Sequence, residues 1–320
     1  MTPPAAPVVG MCFDRTFPAP FVLELAPRLE SGGAGSLWVI EDCFYTAGVS
    51  LTAAALAVTE RMQVGLGILP AVARNPAVTA MEVGTLAALA PGRLLPGIGH
   101  GVQSWMGQMG ARTPSPVTTL EEVLLAVQRL LAGERVTMHG RYVHLDDVEL
   151  DQPPPEPPPL LAGVRGPRSL AMAGRVAGGV VLAEPASPSY VRWALDQAGR
   201  PPEFRVAVFA ALCVAADRAA AYRQMAPWLA GLLDDPSPGL RALPFFEELS
   251  ARHASHGTRG LATVPADWWT EIGPIGTLDD AAAHVAALGA AGVDDVGLFP
   301  APDVAVARTQ VDQVLALAGG

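Results

Sequence analysis

The chain has 320 residues, with 31 acidic and 21 basic side chains and a formal net charge of −10. That balance excludes the basic footprint that nucleic acids and anionic membrane surfaces require. Half of the residues are hydrophobic and 16% are charged, so a large core is available, a disordered chain is excluded, and the expected ligand is a small-molecule substrate.

Taken in order, Val8 to Phe13 reads as a buried strand, and Phe21, Leu25 and Leu29 behind it recur at helical spacing. Ser36 to Ile40 is a second strand ending in Glu41-Asp42-Cys43, followed by an alanine-rich helix from Leu51 to Glu60. Met62 to Leu69 is a third strand; Asn75-Pro76 supplies an N-cap and a first-turn proline for a helix reaching Ala90. Arg93 to Ile98 is a fourth. Gly99-His100-Gly101 and Trp105-Met106 then precede a helix whose capping box is expected at Thr119 and Glu122.

Val136 to Leu145 alternates about a glycine turn and reads as a surface hairpin. Asp151 to Pro159 holds six prolines, an extended spacer that can neither pair in a central strand nor form a helix. It leads into Leu160 to Gly163, a fifth strand, and a helix from Pro167 to Val176. Gly179 to Ala183, a helix from Pro188 to Ala198, Phe204 to Val214 and a helix from Ala215 to Leu233 continue the rhythm. Asp234 to about Ile275 is too long for an ordinary connection and is expected to be an insertion near the active face. Thr277-Leu278-Asp279-Asp280 caps a helix ended by Gly292, Val293 to Phe299 is the eighth strand, and the last helix runs from Asp303 to Ala318.

Eight apolar strands alternating with helices predict an α/β fold, a closed parallel sheet covered by helices: the (β/α)8 TIM barrel. The expectation is one domain over residues 1–320, with insertions at about 134–158 and 234–275. Gly97-Ile98-Gly99 begins like a dinucleotide fingerprint, but Val102 stands where its third glycine would be.

Every one of the 21 basic residues is arginine; without lysine there is no Schiff base and no Walker lysine, and an anion must be held by guanidinium or backbone. Gly163-Val164-Arg165-Gly166-Pro167-Arg168-Ser169 combines a glycine turn, a helix start and two guanidinium groups. That suits phosphate oxygens, and it equally suits a tight turn with two surface arginines. Cys12, Cys43 and Cys213 have no metal-ligand spacing, so no metal is expected, and an odd count fits a reducing compartment. With no signal pattern at the N-terminus and no apolar run near ~18 residues, the expected location is the cytoplasm.

Catalytic residues of such a barrel sit at the carboxyl ends of its strands. That rule gathers Cys12 to Asp14, Glu41 to Cys43, Gly67-Ile68, His100, Gly163 to Arg168 and Glu184 on one face.

Several of these fragments together resemble the luciferase-like (LLM class) superfamily of flavin- and F420-dependent oxidoreductases. The likeness is strongest to its branch of methylenetetrahydromethanopterin reductase type. It runs through Val39 to Phe44, Val64 to Ile68, Arg74 to Ala77, Leu95 to Gly101, Gly163 to Ser169 and Gly276 to Asp280. The resemblance implies coenzyme F420 as cofactor, with FMN as the alternative, and a homodimer. It implies a cis peptide at Gly67-Ile68 forming a bulge behind the cofactor ring. It assigns Asp42 to the ring's polar edge, Gly99, His100, Gly101 and Val102 to a loop beside ring and tail, and Gly163, Val164, Arg165, Gly166, Pro167 and Arg168 to the phosphate.

The sequence departs from the family at the substrate side. Cys43 stands where His is usual, Cys12 and Val102 where carboxylates are common, and Ala186 where the sugar dehydrogenases carry lysine. Cys43, as a thiol acid, and His100, as a proton shuttle, are the catalytic candidates that remain. Trp105, Trp268 and Trp269 could wall a substrate pocket or pack in a core. The expected activity is hydride transfer between F420 and a small organic substrate. The alternatives are an FMN-dependent monooxygenase and a non-catalytic flavin- or deazaflavin-binding protein.

Overall fold

Twelve strands are named in chain order among the described residues, 6–319, of the computed structural model. They are β1 (Val8–Phe13), β2 (Ser36–Val39), β3 (Gln63–Pro70), β4 (Leu94–Gly99), β5 (Val136–His139), β6 (His144–Val148), β7 (Leu161–Gly163), β8 (Gly179–Leu182), β9 (Arg205–Ala211), β10 (Cys213–Val214), β11 (Ile275–Gly276) and β12 (Asp295–Phe299). Eight close into a parallel barrel in the order β1-β12-β9-β8-β7-β4-β3-β2. The fold is the expected TIM barrel, with helices between the strands. No described helix is long and apolar enough to cross a membrane.

Alternation along each strand divides the apolar residues into two layers. Met11, Leu37, Val64, Leu66, Val180 and Val208 face outward into the core shared with the helices. Cys12, Trp38, Leu95, Leu161, Val181, Ala207 and Phe209 fill the barrel itself. Space for the indole of Trp38 comes from Gly65, where a Cβ would lie 2.1 Å from the ring. At the amino ends of the strands, Arg205 closes the barrel. Its guanidinium donates to both carboxylate oxygens of Asp295 (2.6 and 2.8 Å) and to Gln63 Oε1 at 2.8 Å.

Most expected boundaries agree to within a few residues, and the disagreements have local causes. The helix expected to be capped at Thr119 begins at Pro116. Proline fits that first turn, so Thr119 falls inside the helix and its hydroxyl donates to the Ser115 carbonyl at 3.0 Å. Glu122 instead accepts from the backbone N–H groups of Arg141, Tyr142 and Val143 at 2.7, 2.8 and 2.9 Å. It therefore fastens the antiparallel β5–β6 hairpin to the helix flank. A short helix, Gln103–Gln108, follows Gly101 (φ 68°) and was not legible in the sequence.

The segment expected as an insertion leaves the barrel beyond β9. It forms helices Pro238–Arg241, Phe246–Leu261 and Ala266–Ile272 and returns through β11, which pairs with β10. Together with helix Arg218–Asp234 it packs around its own apolar cluster. Trp269 stacks on Tyr222 (centroids 5.1 Å) and Trp268 on Phe245 (4.4 Å), so both indoles serve packing.

Candidate active site

The strands end on one face around a cavity of about 530 Å³. Segments following β1, β2, β4, β7 and β8 contribute, and the residues within strands that reach it come from β3, β7, β8, β9 and β12. No residue between 234 and 275 lines it.

The apolar wall is built on β3. Its pairing with β4 steps from Leu66–Pro96 to Leu69–Ile98, so Gly67 and Ile68 together oppose one residue and form a bulge. The Gly67–Ile68 peptide is cis, and both residues line the cavity. The Ile68 side chain lies over three glycines. A Cβ at Gly97, Gly99 or Gly163 would come within 2.8, 2.3 or 2.7 Å of it, far inside van der Waals contact. Val181, Phe209 and Phe299 continue the wall, the last two rings meeting edge to face at 5.6 Å.

One corner suits an anion. Pro167–Val176 begins at Gly166, which offers no side-chain cap, and Leu170 N–H is already bonded to the Gly166 carbonyl. The first-turn amides of Arg168 and Ser169 precede the first intrahelical bond and carry the positive end of the helix. Gly163, Val164, Arg165, Gly166 and Ser169 all line the cavity here. The turn is held from behind by the Tyr190 hydroxyl, which donates to the Arg165 carbonyl at 2.8 Å.

Across the mouth, Arg15 Nη1 donates to Asp42 Oδ2 at 2.8 Å, and its guanidinium lies 5.0 Å from the Tyr45 ring centroid and 6.0 Å from that of Trp105. These contacts join segments that follow β1, β2 and β4. Glu41 is bound by the Arg74 fork at 2.5 and 2.9 Å. Glu184, just past β8, lines the cavity as well. Burial pushes its carboxyl up from its ordinary value, against the pull of its own main-chain N–H and of the Arg165 charge.

Of the residues singled out in the sequence, the cavity brings together Asp42, Gly67, Ile68, His100, Gly101, Val102, Gly163, Val164, Arg165 and Gly166. Gly99 lies beneath the wall as a spacer for Ile68. Pro167 and Arg168 do not line the cavity, and the Arg168 side chain is exposed. Trp105 does line it.

The two catalytic candidates fall in different places. Cys43 lies outside the cavity in a shallow cleft with Phe44, Tyr45 and Arg74. Burial, then the charges of Glu41 and Asp42, push its thiol up from 9.0, so it stays protonated at neutral pH. His100 has both ring nitrogens engaged. Nδ1 is 3.2 Å from the Pro116 carbonyl, which can only accept, so Nδ1 carries the proton and Nε2 accepts from Ser169 Oγ at 3.0 Å. Burial keeps the ring neutral by pulling it down from 6.5. Through Ser169 the imidazole ties the segment after β4 to the anion corner.

Sequence reasoning had assigned Arg15 and Ser169 no individual role and had left Glu184 on the face without one. The position of Glu184 two residues past a strand was the available signal; the partners of Arg15 and Ser169 are 27 and 69 residues distant and carry no local pattern. Among the described residues, no three His, Cys, Asp or Glu side chains gather as a metal site.

A closed parallel barrel with a cavity at the carboxyl ends of its strands is the arrangement of TIM-barrel enzymes. The sequence profile of the luciferase-like monooxygenase family matches residues 5–295. The chain belongs to that family. It is 31% identical over 220 residues to 5,10-methylenetetrahydromethanopterin reductase from Methanolobus tindarius, the alignment covering 66% of each chain. It is 36% identical over 132 residues to the F420-dependent glucose-6-phosphate dehydrogenase of Beutenbergia cavernae, covering 40% of this chain and 39% of that one. Its fold matches that of the coenzyme F420-dependent tetrahydromethanopterin reductase from Methanopyrus kandleri with a TM-score of 0.79 at 19% identity, over 98% of both chains.

Proposed function

We propose that the protein is an oxidoreductase that uses coenzyme F420 to move a hydride to or from a small organic substrate. The observation that carries this reading is the junction, in one cavity, of the Ile68 bulge with the anion corner at Arg165 and the Pro167–Val176 helix. A flat ring and a phosphate need those two surfaces side by side. The likeness to F420-dependent glucose-6-phosphate dehydrogenase sequences supports the same cofactor.

In this reading the amide of Ser169 and the guanidinium of Arg165 hold the phosphate, and Ile68 backs the ring while Gly101, Val102 and Asp42 flank it. The bound deazaflavin supplies the hydride chemistry; the chain's residues orient it and keep water from the reacting face. The test is anaerobic mixing of reduced F420 and the protein with ketones, aldehydes and imines, followed by the return of the oxidised deazaflavin absorbance. Oxidation that needs both protein and substrate supports the reading. Uptake of oxygen with reduced FMN, and none of this reaction with F420, replaces it with a monooxygenase; binding of F420 with no turnover of any member reduces it to a carrier.

A further inference from the structure

Three carboxyl groups line the cavity, and two are already engaged. Glu41 accepts from Arg74 at 2.5 and 2.9 Å and from the Gly48 N–H at 2.9 Å, while Asp42 is paired with Arg15 at 2.8 Å. Glu184 makes no ion pair among the described residues, and its one hydrogen bond comes from its own main-chain N–H. Facing it are the Arg15–Asp42 pair, an apolar wall, and the Arg165 guanidinium, which has no ion-pair partner among the described residues and whose charge favours the ionised carboxylate against the effect of burial. Arg15 and Asp42 hold each other, Arg165 faces the anion corner, Cys12 below is fully buried, and Val181 and Phe209 are apolar. His100, the other titratable group of the cavity, is bonded at both nitrogens.

We propose that Glu184 is the residue that exchanges a proton with the substrate, a compound whose reacting group is a C=O or C=N bond in its oxidised form. The proposal rests on the hydride-transfer reading above. In the reducing direction the Glu184 O–H bond breaks and its proton goes to the substrate oxygen or nitrogen. The π pair of the C=O or C=N group forms the new O–H or N–H bond, and the carbon receives the hydride. The Glu184 carboxylate then takes a proton from water at the cavity mouth, balanced by the proton that the reduced deazaflavin releases to solvent on oxidation. In the oxidising direction each step reverses. Burial holds the carboxyl in its protonated form to higher pH than an exposed glutamate, as an acid working near neutrality requires.

The test compares the full-length protein with Glu184→Gln and Glu184→Asp. Three quantities are read: F420 affinity by fluorescence titration, the carboxylic-acid C=O stretch by infrared spectroscopy at pH 7, and the pH profile of turnover with the ketone, aldehyde and imine panel. The proposal expects E184Q to bind F420 within about twofold of wild type, to lack one acid band, and to turn over roughly 100-fold more slowly or worse. E184D should recover part of that loss. Wild-type turnover and pH profile in E184Q overturn the proposal and leave the hydride-transfer reading standing. A Glu184 already ionised at pH 7, with no acid band lost in E184Q, overturns it even if no panel member is consumed. A wild-type protein that binds no F420 overturns both, and the binding titration alone identifies that case.

Discussion

His100 Nε2 lies 3.0 Å from Ser169 Oγ, and that hydrogen bond ties the segment after β4 to the first turn of the helix after β7. The histidine is thereby a strut behind the anion corner. Replacing Ser169 by Ala removes one neutral hydrogen bond, worth ~1 kcal/mol, and leaves the acceptor of a half-buried imidazole unpaired. The expected outcome is F420 affinity weakened several-fold with an unchanged far-UV spectrum. Affinity equal to wild type would show that the strut does not position the corner.

The two arginines of the Gly163–Ser169 segment should separate sharply. Arg165 lines the cavity and Arg168 does not. Arg165→Ala should weaken F420 about 10- to 100-fold, the range for losing a charge-assisted contact of ~1.5–3 kcal/mol. Arg168→Ala, whose main-chain amide remains, should stay within roughly twofold. Titrations of both variants at one ionic strength check this, and equal losses would contradict the geometry.

At the opposite end of the barrel, Asp295 is fully buried and depends on Arg205. Arg205→Ala leaves that carboxylate without its cation, which costs on the order of 3–5 kcal/mol in comparable buried pairs. Urea unfolding should register a loss of that size while any F420 affinity of the folded fraction is retained.

His284 gives a pH signature. It is fully buried, donates from Nδ1 to the Thr270 carbonyl at 2.7 Å, and burial pulls it from 6.5 down to about 4. The unfolded chain therefore binds the extra proton first, so this contribution to stability is complete above pH 6.5 and is lost as pH falls toward about 4. Between pH 7 and 5 the loss from this residue should be about 2 kcal/mol. His284→Gln should remove that part of the pH dependence, measured as the difference between the two proteins' unfolding free energies at each pH.

The barrel was legible because each strand is a short apolar run bounded by turn residues, a pattern set locally. The caps at Asn75 and Thr277 and the proline that opens the helix at Pro167 were legible for the same reason. The segment from Gly163 to Gly166 was found because glycines and an arginine at a helix start have a recognisable chemistry. Glu122 misled because Ser/Thr-x-x-Glu spacing cannot report that the carboxylate faces a hairpin about twenty residues away. His100 was visible at a strand end, but its partners Pro116 and Ser169 come from elsewhere in the chain and left no local pattern. Glu184 was visible as a carboxylate at a strand end, but being unpaired is a property of its surroundings, which only the folded cavity defines.

The central claim is that this cavity holds a deazaflavin, and equilibrium titration of the apoprotein with F420 and with FMN, in both redox states and without oxygen, tests it most directly. The account predicts that F420 binds at micromolar concentration or tighter, that Arg165→Ala weakens it, and that admitting air to the reduced complex produces little peroxide. No detectable F420 binding, together with tight binding of reduced FMN and oxygen consumption on aeration, would contradict it.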